Sequence, residues 1–330
     1  MEIGVIGSGA VGARAARQLL SVDGVERVHL RGGERGRLEA LVTSLGDGAT
    51  IAAGAPADPL DVDAVVCSGP PGTHVAVASA FLARDVPVVS TSDAVSDVRG
   101  LLDLDLEARE RGVPVVVGAG FSPGLTCVLA AHAAQRFDEV TELHVAKVGT
   151  GGPSCARQHH SALGGVALDW RDGWLRRQAG SGRELCWFPD PLSAHDCYRA
   201  ALPDALLLVR AFPEIRRVTA RMAATRRDRL TARLPMLWPT HPEGGPGAVR
   251  VEVRGRRGRA QAVEVYGAMD RPAVASGAVA AVAATAAARG ELSRSGAGGL
   301  AELAVPLVVL AELARRGVRA AIFDGESIRS

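Results

Sequence analysis

The sequence predicts a two-part α/β protein, with a doubly wound parallel sheet first and then an α+β domain whose open sheet is mostly antiparallel. Three observations predict this class. A glycine-rich turn follows the first apolar run, short apolar runs then alternate with helical segments, and the second half contains strand pairs joined by tight turns. The chain has 330 residues, of which 47% are hydrophobic, so it is long enough to bury two cores.

The first apolar run, Glu2 to Ile6, suits a buried parallel strand and leads into Gly7-Ser8-Gly9-Ala10-Val11-Gly12. Ala13 to Leu20 follows with helical spacing, and Val25 to Leu30 completes a βαβ unit. In this position the glycines allow a tight turn, the close approach of a diphosphate and close packing of helix on strand. The free N–H groups of the helix favour an anion. The pattern therefore predicts a dinucleotide site in a Rossmann domain.

The same alternation continues along the first third of the chain. We expect strands at Ala49 to Ala53, Ala64 to Cys67, Val86 to Thr91 and Val113 to Val117, and helices at Val75 to Arg84 and Val98 to Arg111. Ligands of open α/β sheets bind outside the carboxyl ends of the strands, so the loops that follow these strands should line one cleft. The residues expected at the cofactor are Gly7, Ser8, Gly9, Ala10, Val11, Gly12, Arg31, Ser68, Gly69, Pro70, His74, Thr91, Ser92, Phe121, Ser122 and Pro123.

The end of the second strand discriminates between NAD and NADP. Enzymes that use NAD usually place a carboxylate there to bind the ribose hydroxyls. This chain has Arg31, with Arg35 and Arg37 nearby, and a guanidinium offers a 2′-phosphate a bidentate partner. We therefore favour NADP as the cofactor, while Glu34 keeps NAD open.

The second half has the features of a sheet domain. Glu139 to Val148 alternates apolar and polar residues, and hairpins are expected around residues 171–173 and 255–259. The last helix, Leu300 to Arg316, should fold back on the first domain with a kink at Pro306. We thus place a dinucleotide-binding domain at residues 1–122, a substrate-binding and dimerisation domain at 123–297, and assign 298–330 to the first domain.

Composition argues against several classes of protein. Lys+Arg number 38 and Asp+Glu 36, a net charge of +2, which does not favour a partner of nucleic acid or a membrane surface. The arginine-rich stretch from Arg210 to Arg233 is expected to be a solvated helical face. The five cysteines include no CxxC, so we expect a reduced protein without a structural zinc or other metal. The first residues do not resemble a signal peptide, and we expect a cytoplasmic location.

The order of four motifs resembles the saccharopine dehydrogenase-like oxidoreductases, with related patterns in carboxynorspermidine and diaminopimelate dehydrogenases. The motifs are the glycine turn at residue 7, Ser-Gly-Pro-Pro-Gly-Thr-His at 68–74, Ser-Thr-Ser-Asp at 90–93 and Gly-Phe-Ser-Pro-Gly-Leu at 120–125. The resemblance implies NAD(P)-dependent hydride transfer between nicotinamide and the imine or amine carbon of an amino-acid-like substrate. It also implies a homodimer in which one face of the open sheet packs on the partner subunit. These relatives usually read Asp-Pro-Gly where this chain has Ser122-Pro123-Gly124.

Two alternatives stay open. The loop ending in Pro71-Gly72-Thr73-His74 also resembles the sugar-oxidising Gfo/Idh/MocA group, so an enzyme that oxidises a hydroxyl group is one alternative. That group carries a catalytic lysine shortly after the fifth strand, where this chain has Thr91-Ser92-Asp93. The other alternative is a non-catalytic NAD(P)-binding sensor, which the serine at position 122 favours.

Beyond the cofactor, the chemistry needs a clamp for a carboxylate, a group that exchanges a proton near neutral pH, and an anchor for an amine. Candidates for the clamp are Arg157 and Arg177. Candidates for the proton are His159, His160 and His74. Candidates for the anchor are Asp93 and Asp169. From these we expect the catalytic set His159, His160, Asp93 and Arg157.

Overall fold

The computed structural model describes residues 1–236, 241–318 and 320–322. The first part of the chain contains β1 (Glu2–Ile6), α1 (Ala10–Leu19), β2 (Arg27–Arg31), α2 (Arg35–Leu45), β3 (Ala49–Ile51), β4 (Ala64–Cys67), α3 (His74–Leu82), β5 (Val88–Ser90), α4 (Val95–Leu102), α5 (Asp105–Glu110), β6 (Pro114–Val116) and α6 (Leu125–Ala134). The rest contains β7 (Glu139–Val148), α7 (Pro153–Ala162), β8 (Val166–Arg171), β9 (Trp174–Gln178), β10 (Glu184–Trp187), β11 (Ala194–Arg199), α8 (Asp204–Ala211), β12 (Arg217–Ala223), α9 (Arg226–Thr231), β13 (Gly247–Arg257), β14 (Ala260–Asp270), α10 (Pro272–Ala288), β15 (Gly296–Gly298), α11 (Leu300–Leu303), α12 (Pro306–Arg315) and β16 (Ala320–Ile322).

The first sheet is parallel and has seven strands within the described residues, in the order β15-β6-β5-β4-β1-β2-β3. Its central strands are almost entirely apolar and buried, as strands covered on both faces must be. The strand order reverses between β1 and β4, so the turn after β1 lies at the switch point, where such sheets bind ligands. The predicted doubly wound sheet is confirmed.

The second sheet joins nine strands of the described chain: seven follow the order β10-β11-β12-β7-β13-β14-β16, β8 also pairs with β12, and β9 pairs with β8. Its pairs are antiparallel except that of β12 with β7, which confirms a mostly antiparallel sheet. Helices α6 and α8 cover one face, where Leu143, Val145, Val251 and Val253 are buried. Lys147 lies on this same face because side chains alternate along a strand.

The chain returns to the first sheet earlier than the domain boundaries drawn from the sequence. Helix α10 packs on α1, β4 and β5, and β15 then pairs with β6. Gly277 allows this contact because a Cβ at this position would lie 2.6 Å from the Cβ of Arg14 and 2.7 Å from the backbone N of Ala15. The segment from residue 272 to 298 thus belongs with the nucleotide-binding half.

Two local predictions are wrong. Pro306 does not kink a single helix but begins α12, since proline suits the first turn and cannot continue a preceding helix. The arginine-rich stretch is not one helical face, because it contains strand β12, where Arg221 is buried and pairs with Glu184. The predicted C-terminal segment falls partly on residues 319 and 323–330, which lie outside the described residues. Among the helices described, none is long and apolar enough to cross a membrane.

Candidate active site

A cavity opens at the carboxyl ends of β1, β4, β5 and β6, where four loops of the first domain meet. The loops contribute Gly9, Ala10, Val11, Ser68, Gly69, Pro71, Thr91, Ser92, Asp93, Gly120, Phe121 and Ser122. The opposite wall includes Lys147 at the end of β7 and Cys155 and His159 on α7, while Ser276 of α10 lines the cavity beside Phe121. The structure therefore brings together the loops that strand order predicts, and the second domain encloses the space in front of them.

The glycine turn after β1 lets another group come close to the backbone. Gly7 has a φ of +124°, and a Cβ there would lie 2.6 Å from the carbonyl oxygen of Ser68; a Cβ on Gly12 would lie 2.1 Å from the carbonyl oxygen of Gly7. At Gly9, by contrast, no atom lies within 4 Å of an added Cβ. Gly9 precedes α1, which has neither a side-chain cap nor an acidic residue in its first turn. The turn thus leaves open space in front of free N–H groups, an arrangement that fits a diphosphate.

Three ionisable side chains from three distant segments meet at the inner end of the cavity. The Nε2 atom of His159 lies 2.8 Å from Oδ2 of Asp93 and 2.9 Å from Nζ of Lys147. Lys147 also reaches Oδ2 of Asp93 at 3.5 Å and the carbonyl oxygen of Ser122 at 3.4 Å. Lys147 and His159 are buried, whereas Asp93 is partly exposed. We call Lys147, His159 and Asp93 the KHD cluster.

The geometry of the KHD cluster lets a proton change place. A ring nitrogen either carries a hydrogen and donates or is bare and accepts. Nε2 of His159 therefore cannot accept from Lys147 and donate to Asp93 at the same time, although both partners are within hydrogen-bond distance. Nδ1 of the same ring is buried without a partner in the described structure. The ring can thus pass between two hydrogen-bonding states with little movement.

Burial and the mutual contacts of the KHD cluster shift the pKa values of Asp93 and His159. Burial opposes the charge of Asp93, but Lys147 and His159 outweigh it and hold the pKa of this carboxyl well below its usual range. Burial lowers the pKa of His159, and the positive charge of Lys147 lowers it further, against the opposing effect of Asp93. At neutral pH the cluster therefore contains a carboxylate and an uncharged imidazole.

A second carboxylate, that of Asp204, accepts hydrogen bonds from Ser122 and Thr126. The Oγ of Ser122 donates to Oδ1 and Oδ2 of Asp204 at 2.9 and 3.0 Å, and the Oγ1 of Thr126 donates to Oδ1 at 2.7 Å. Asp204 on α8 is completely buried, and burial raises its pKa although Lys147 and the two hydroxyls act in the other direction. Ser122, where the resemblance suggests an aspartate, thus donates a hydrogen bond to an aspartate from helix α8.

His74 is held between two loops of the first domain. Its Nδ1 lies 2.9 Å from Oγ of Ser90 and its Nε2 lies 3.0 Å from the carbonyl oxygen of Gly69. Burial lowers the pKa of His74, and the hydrogen bond to Gly69 only partly opposes this. His74 lines the cavity, but both ring nitrogens already have partners.

We expect acid to destabilise the folded protein through His74. In the unfolded chain this imidazole takes up a proton near pH 6.5, whereas the folded environment resists it, so stability present above that pH is lost as the pH falls. The contribution is at most about 1.4 kcal/mol per pH unit for one proton. Urea unfolding from neutral to mildly acidic pH should show a shallower dependence in His74→Gln than in the wild type. An unchanged slope would contradict this role.

Arg31, the residue on which the preference for NADP was based, is buried and turned inward. Its two terminal nitrogens donate to the carbonyl oxygens of Asp58 and Pro59 at 2.7 and 3.2 Å. Arg35 and Arg37 lie exposed at the start of α2, beside Glu39 and Glu34 respectively. A contact of Arg31 with a 2′-phosphate stays a prediction that this orientation does not favour.

Several predicted residues lie outside the cavity. His160 lies on another side of α7, and its Nε2 donates to the carbonyl oxygen of Thr231 at 2.9 Å. Arg157 is exposed and lines an adjoining groove. Asp169 pairs with Arg199, and Arg177 is exposed on β9. Gly7, Ser8, Gly12, Pro70 and Pro123 shape the loops without lining the cavity.

Lys147 is the residue that sequence reasoning missed. It stands in a strand with ordinary alternation, so no motif marks it. Composition carried a signal, however: the other 37 of the 38 basic residues are arginine. In such a chain a single lysine indicates a position where the chemistry of an amine matters.

Comparison with solved structures identifies the fold. The apo saccharopine dehydrogenase (L-Glu forming) from Saccharomyces cerevisiae superimposes with a TM-score of 0.72, at 16% identity, over 98% of this chain and 100% of that chain. The chain has the fold of saccharopine dehydrogenase. DAP dehydrogenase from C. glutamicum, in complex with DAP, has a TM-score of 0.51 at 15% identity, over 96% of this chain and 98% of that one. No protein-family model and no curated protein sequence matches the chain. The predicted resemblance is therefore confirmed as a likeness of fold.

Proposed function

We propose that this protein is an NAD(P)-dependent oxidoreductase that acts on CH–NH groups of an amino-acid-like substrate. One observation carries the proposal: the open glycine turn and the KHD cluster face the same cavity. The first offers a site for the diphosphate of a dinucleotide, and the second offers a site for proton exchange with a substrate. The fold shared with saccharopine dehydrogenase and DAP dehydrogenase supports the choice of an amine or imine.

The residues that would hold the cofactor are those of the four loops. Gly9, Ala10 and Val11 would receive the diphosphate, while Ser68 and Gly69 would lie beside it. Phe121 and Ser122 line the same cavity on the side of the KHD cluster. When bound, the nicotinamide exchanges a hydride with the substrate carbon. We retain NADP as the proposed cofactor, with Arg35 and Arg37 as the exposed cations near the end of β2.

Side chains of the KHD cluster would exchange a proton with the substrate nitrogen. Reduction of an imine requires one proton at nitrogen, and oxidation of an amine releases one. The paired contacts of His159 Nε2 with Lys147 and Asp93 allow the cluster to supply or accept that proton. The Asp93 carboxylate stabilises positive charge as it develops. Burial together with Asp93 raises the pKa of the Cys155 thiol to about 11, so this cysteine is protonated at neutral pH and does not act as a nucleophile.

An oxidoreductase for hydroxyl groups is the second candidate. Lys147 favours it, because the ammonium group beside His159 would orient a hydroxyl group while the uncharged imidazole takes up its proton. The lysine comes from β7 but lies against Asp93, just past the fifth strand, close to where the Gfo/Idh/MocA resemblance leads one to expect a lysine.

Substrate panels separate these candidates. We expect calorimetry to detect binding of NADPH, and we expect NADPH to be oxidised with mixtures of amino acids and aldehydes but not with sugar lactones or ketones. Turnover of polyols alone would favour the second candidate. Binding without turnover of amines, imines or alcohols would favour a sensor, and the absence of binding to NADPH and NADH would overturn the oxidoreductase proposal.

A further inference from the structure

Asp204 is a buried carboxylate that has no part in the proposed reaction as described so far. It is the first residue of α8 and is completely buried. A carboxylate away from water is unfavourable unless hydrogen bonds and a nearby positive charge compensate for the lost solvation. The groups around Asp204 therefore indicate what this carboxylate acts on.

Two hydroxyl groups bind the carboxylate of Asp204. Ser122 donates to both of its oxygens, and Thr126, in the first turn of α6, donates to Oδ1. The carboxylate thus lies close to the N-terminal ends of α6 and α8, where free N–H groups favour a negative charge. Cys127 of α6 stays neutral beside it, because burial and then the charge of Asp204 raise the pKa of this thiol.

Ser122 connects this carboxylate with the KHD cluster. Its hydroxyl is held by Asp204, and its carbonyl oxygen lies 3.4 Å from Nζ of Lys147. Burial raises the pKa of Asp204, and Lys147 is foremost among the groups that oppose this rise. Because Lys147 and Asp204 are both buried, solvent screens their attraction little. The ammonium of Lys147 is therefore attracted by two carboxylates, those of Asp93 and Asp204.

Helix α8 is anchored at its other end, which fixes the place of Asp204. Arg210, in the last turn of α8, pairs with Asp105 of α5 at 2.5 Å and with Glu302 of α11 at 3.1 Å. The helix thus presents Asp204 as a fixed charge. The side chain of Lys147 is flexible by nature and adjusts to this charge.

Asp204 differs from the other titratable groups that face Lys147. His159 and Asp93 contact the Nζ of Lys147, and Cys155, whose thiol is protonated at neutral pH, lines the same cavity. These groups lie where a substrate would meet them, whereas Asp204 does not line the cavity. Asp204 is therefore suited to hold the ammonium without touching the substrate.

We propose that Asp204 is a positioning residue of the KHD cluster. Through Ser122 and through its own charge, it holds the ammonium of Lys147 against His159 and Asp93. The inference rests on the proposed function, in which the cluster exchanges a proton with the substrate. It gives a part in the reaction to α8, a helix that does not line the cavity.

The test uses the fact that Lys147 is the single lysine of the chain. In protein labelled with [13Cε]lysine, NMR shows one lysine resonance, and its chemical shift follows the ionisation of the amine. We expect the midpoint of this titration to lie about one pH unit lower in Asp204→Asn than in the wild type, because loss of a negative charge disfavours the ammonium. Asp169→Asn removes a buried carboxylate that pairs with Arg199 outside the cavity, and it should leave the midpoint unchanged.

Exchange of the two side chains separates the effect of the charge from an effect on folding. Ser122→Asp combined with Asp204→Ser keeps a hydroxyl and a carboxylate at these positions and returns a negative charge to the neighbourhood of Lys147. The midpoint in this double variant should return at least to the wild-type pH, whereas Asp204→Ser alone should show the lowered midpoint.

Kinetics supply a second readout. With NADPH and the mixture of amino acid and aldehyde that is turned over, Asp204→Asn should lower kcat about tenfold, because the ammonium is misplaced relative to His159. The Kd for NADPH should stay within about twofold of the wild type, since Asp204 does not line the cavity.

The outcomes separate the positioning role from the reaction. An unchanged titration of Lys147 in Asp204→Asn, an equal shift in Asp169→Asn, or a full kcat in Asp204→Asn would overturn the role of Asp204. If Asp204→Asn does not fold, equal midpoints in Asp204→Ser and the double variant would overturn it. The expected shift, without oxidation of NADPH by any carbonyl compound, would support the role of Asp204 and contradict the proposed reaction.

Discussion

Replacing Lys147 with methionine is expected to lower kcat about a thousandfold while the affinity for NADPH changes little. Loss of a positioned acid or base typically costs two to four orders of magnitude in rate. Lys147 contacts His159 and Asp93 and lies on the wall of the cavity opposite the glycine turn, so its loss should affect the proton and not the cofactor. Stopped-flow measurement of single turnovers, together with fluorescence titration of NADPH, checks both parts.

A second variant, Lys147→Arg, shows whether activity is lost because the amine is missing or because the site is disrupted. Lys147→Arg keeps the positive charge beside Asp93, but a guanidinium does not release its proton near neutral pH. We therefore expect this variant to fold and to remain nearly inactive, while Arg177→Lys, the reverse exchange at an exposed site, remains fully active. Normal kcat in Lys147→Arg would show that the position needs only a cation.

The pH profile supplies a further signature of Lys147. Burial and the charge of Lys147 both lower the pKa of His159. Removing the charge in Lys147→Met leaves burial alone against the opposing effect of Asp93, so the pKa of His159 should rise. The residual activity should therefore decline at a higher pH on the acidic side than in the wild type. An acidic limb at the same pH in both proteins would contradict the coupling.

The first sheet could be predicted from the sequence because the residues that specify it lie close together along the chain. A strand, a glycine turn and a helix follow one another within about 20 residues, and the turn requires glycine where a Cβ on Gly7 or Gly12 would meet backbone. The packing of α10 against the first sheet could not be predicted in the same way. Its alanines and valines suit any buried helix, and nothing in their pattern marks Gly277 as the point of close contact with α1.

The candidate site was predictable only in part. Asp93 follows a parallel strand of the first sheet, so the rule for strand ends placed it in the cleft. Lys147 and His159 come from the second domain, and their meeting depends on how β7 and α7 close over the first sheet. For Arg31 the sequence shows the residue type but not the direction of the side chain. A guanidinium suits a phosphate, but the hydrogen bonds to the carbonyl groups of residues 58 and 59 turn it away from the expected site.

Replacing Gly9 with alanine is expected to raise the Kd for NADPH about a hundredfold without destabilising the fold. Gly9 has a φ of −73°, which alanine adopts freely, and no protein atom lies within 4 Å of the added Cβ. The methyl group therefore disturbs nothing in the protein but occupies the space before the first turn of α1, where the diphosphate would lie. Calorimetric titration and thermal unfolding of the same samples measure the two quantities.

The matched control for Gly9→Ala is Gly173→Ala, in the turn between β8 and β9, where an added Cβ also meets no atom within 4 Å. Both variants should unfold at nearly the wild-type temperature, and only Gly9→Ala should lose affinity. Gly12→Ala is unsuitable for this purpose, because its Cβ would lie 2.1 Å from the carbonyl oxygen of Gly7 and would distort the turn itself. If Gly9→Ala binds NADPH as tightly as the wild type, the diphosphate does not lie at this turn, and the KHD cluster would no longer face a nicotinamide.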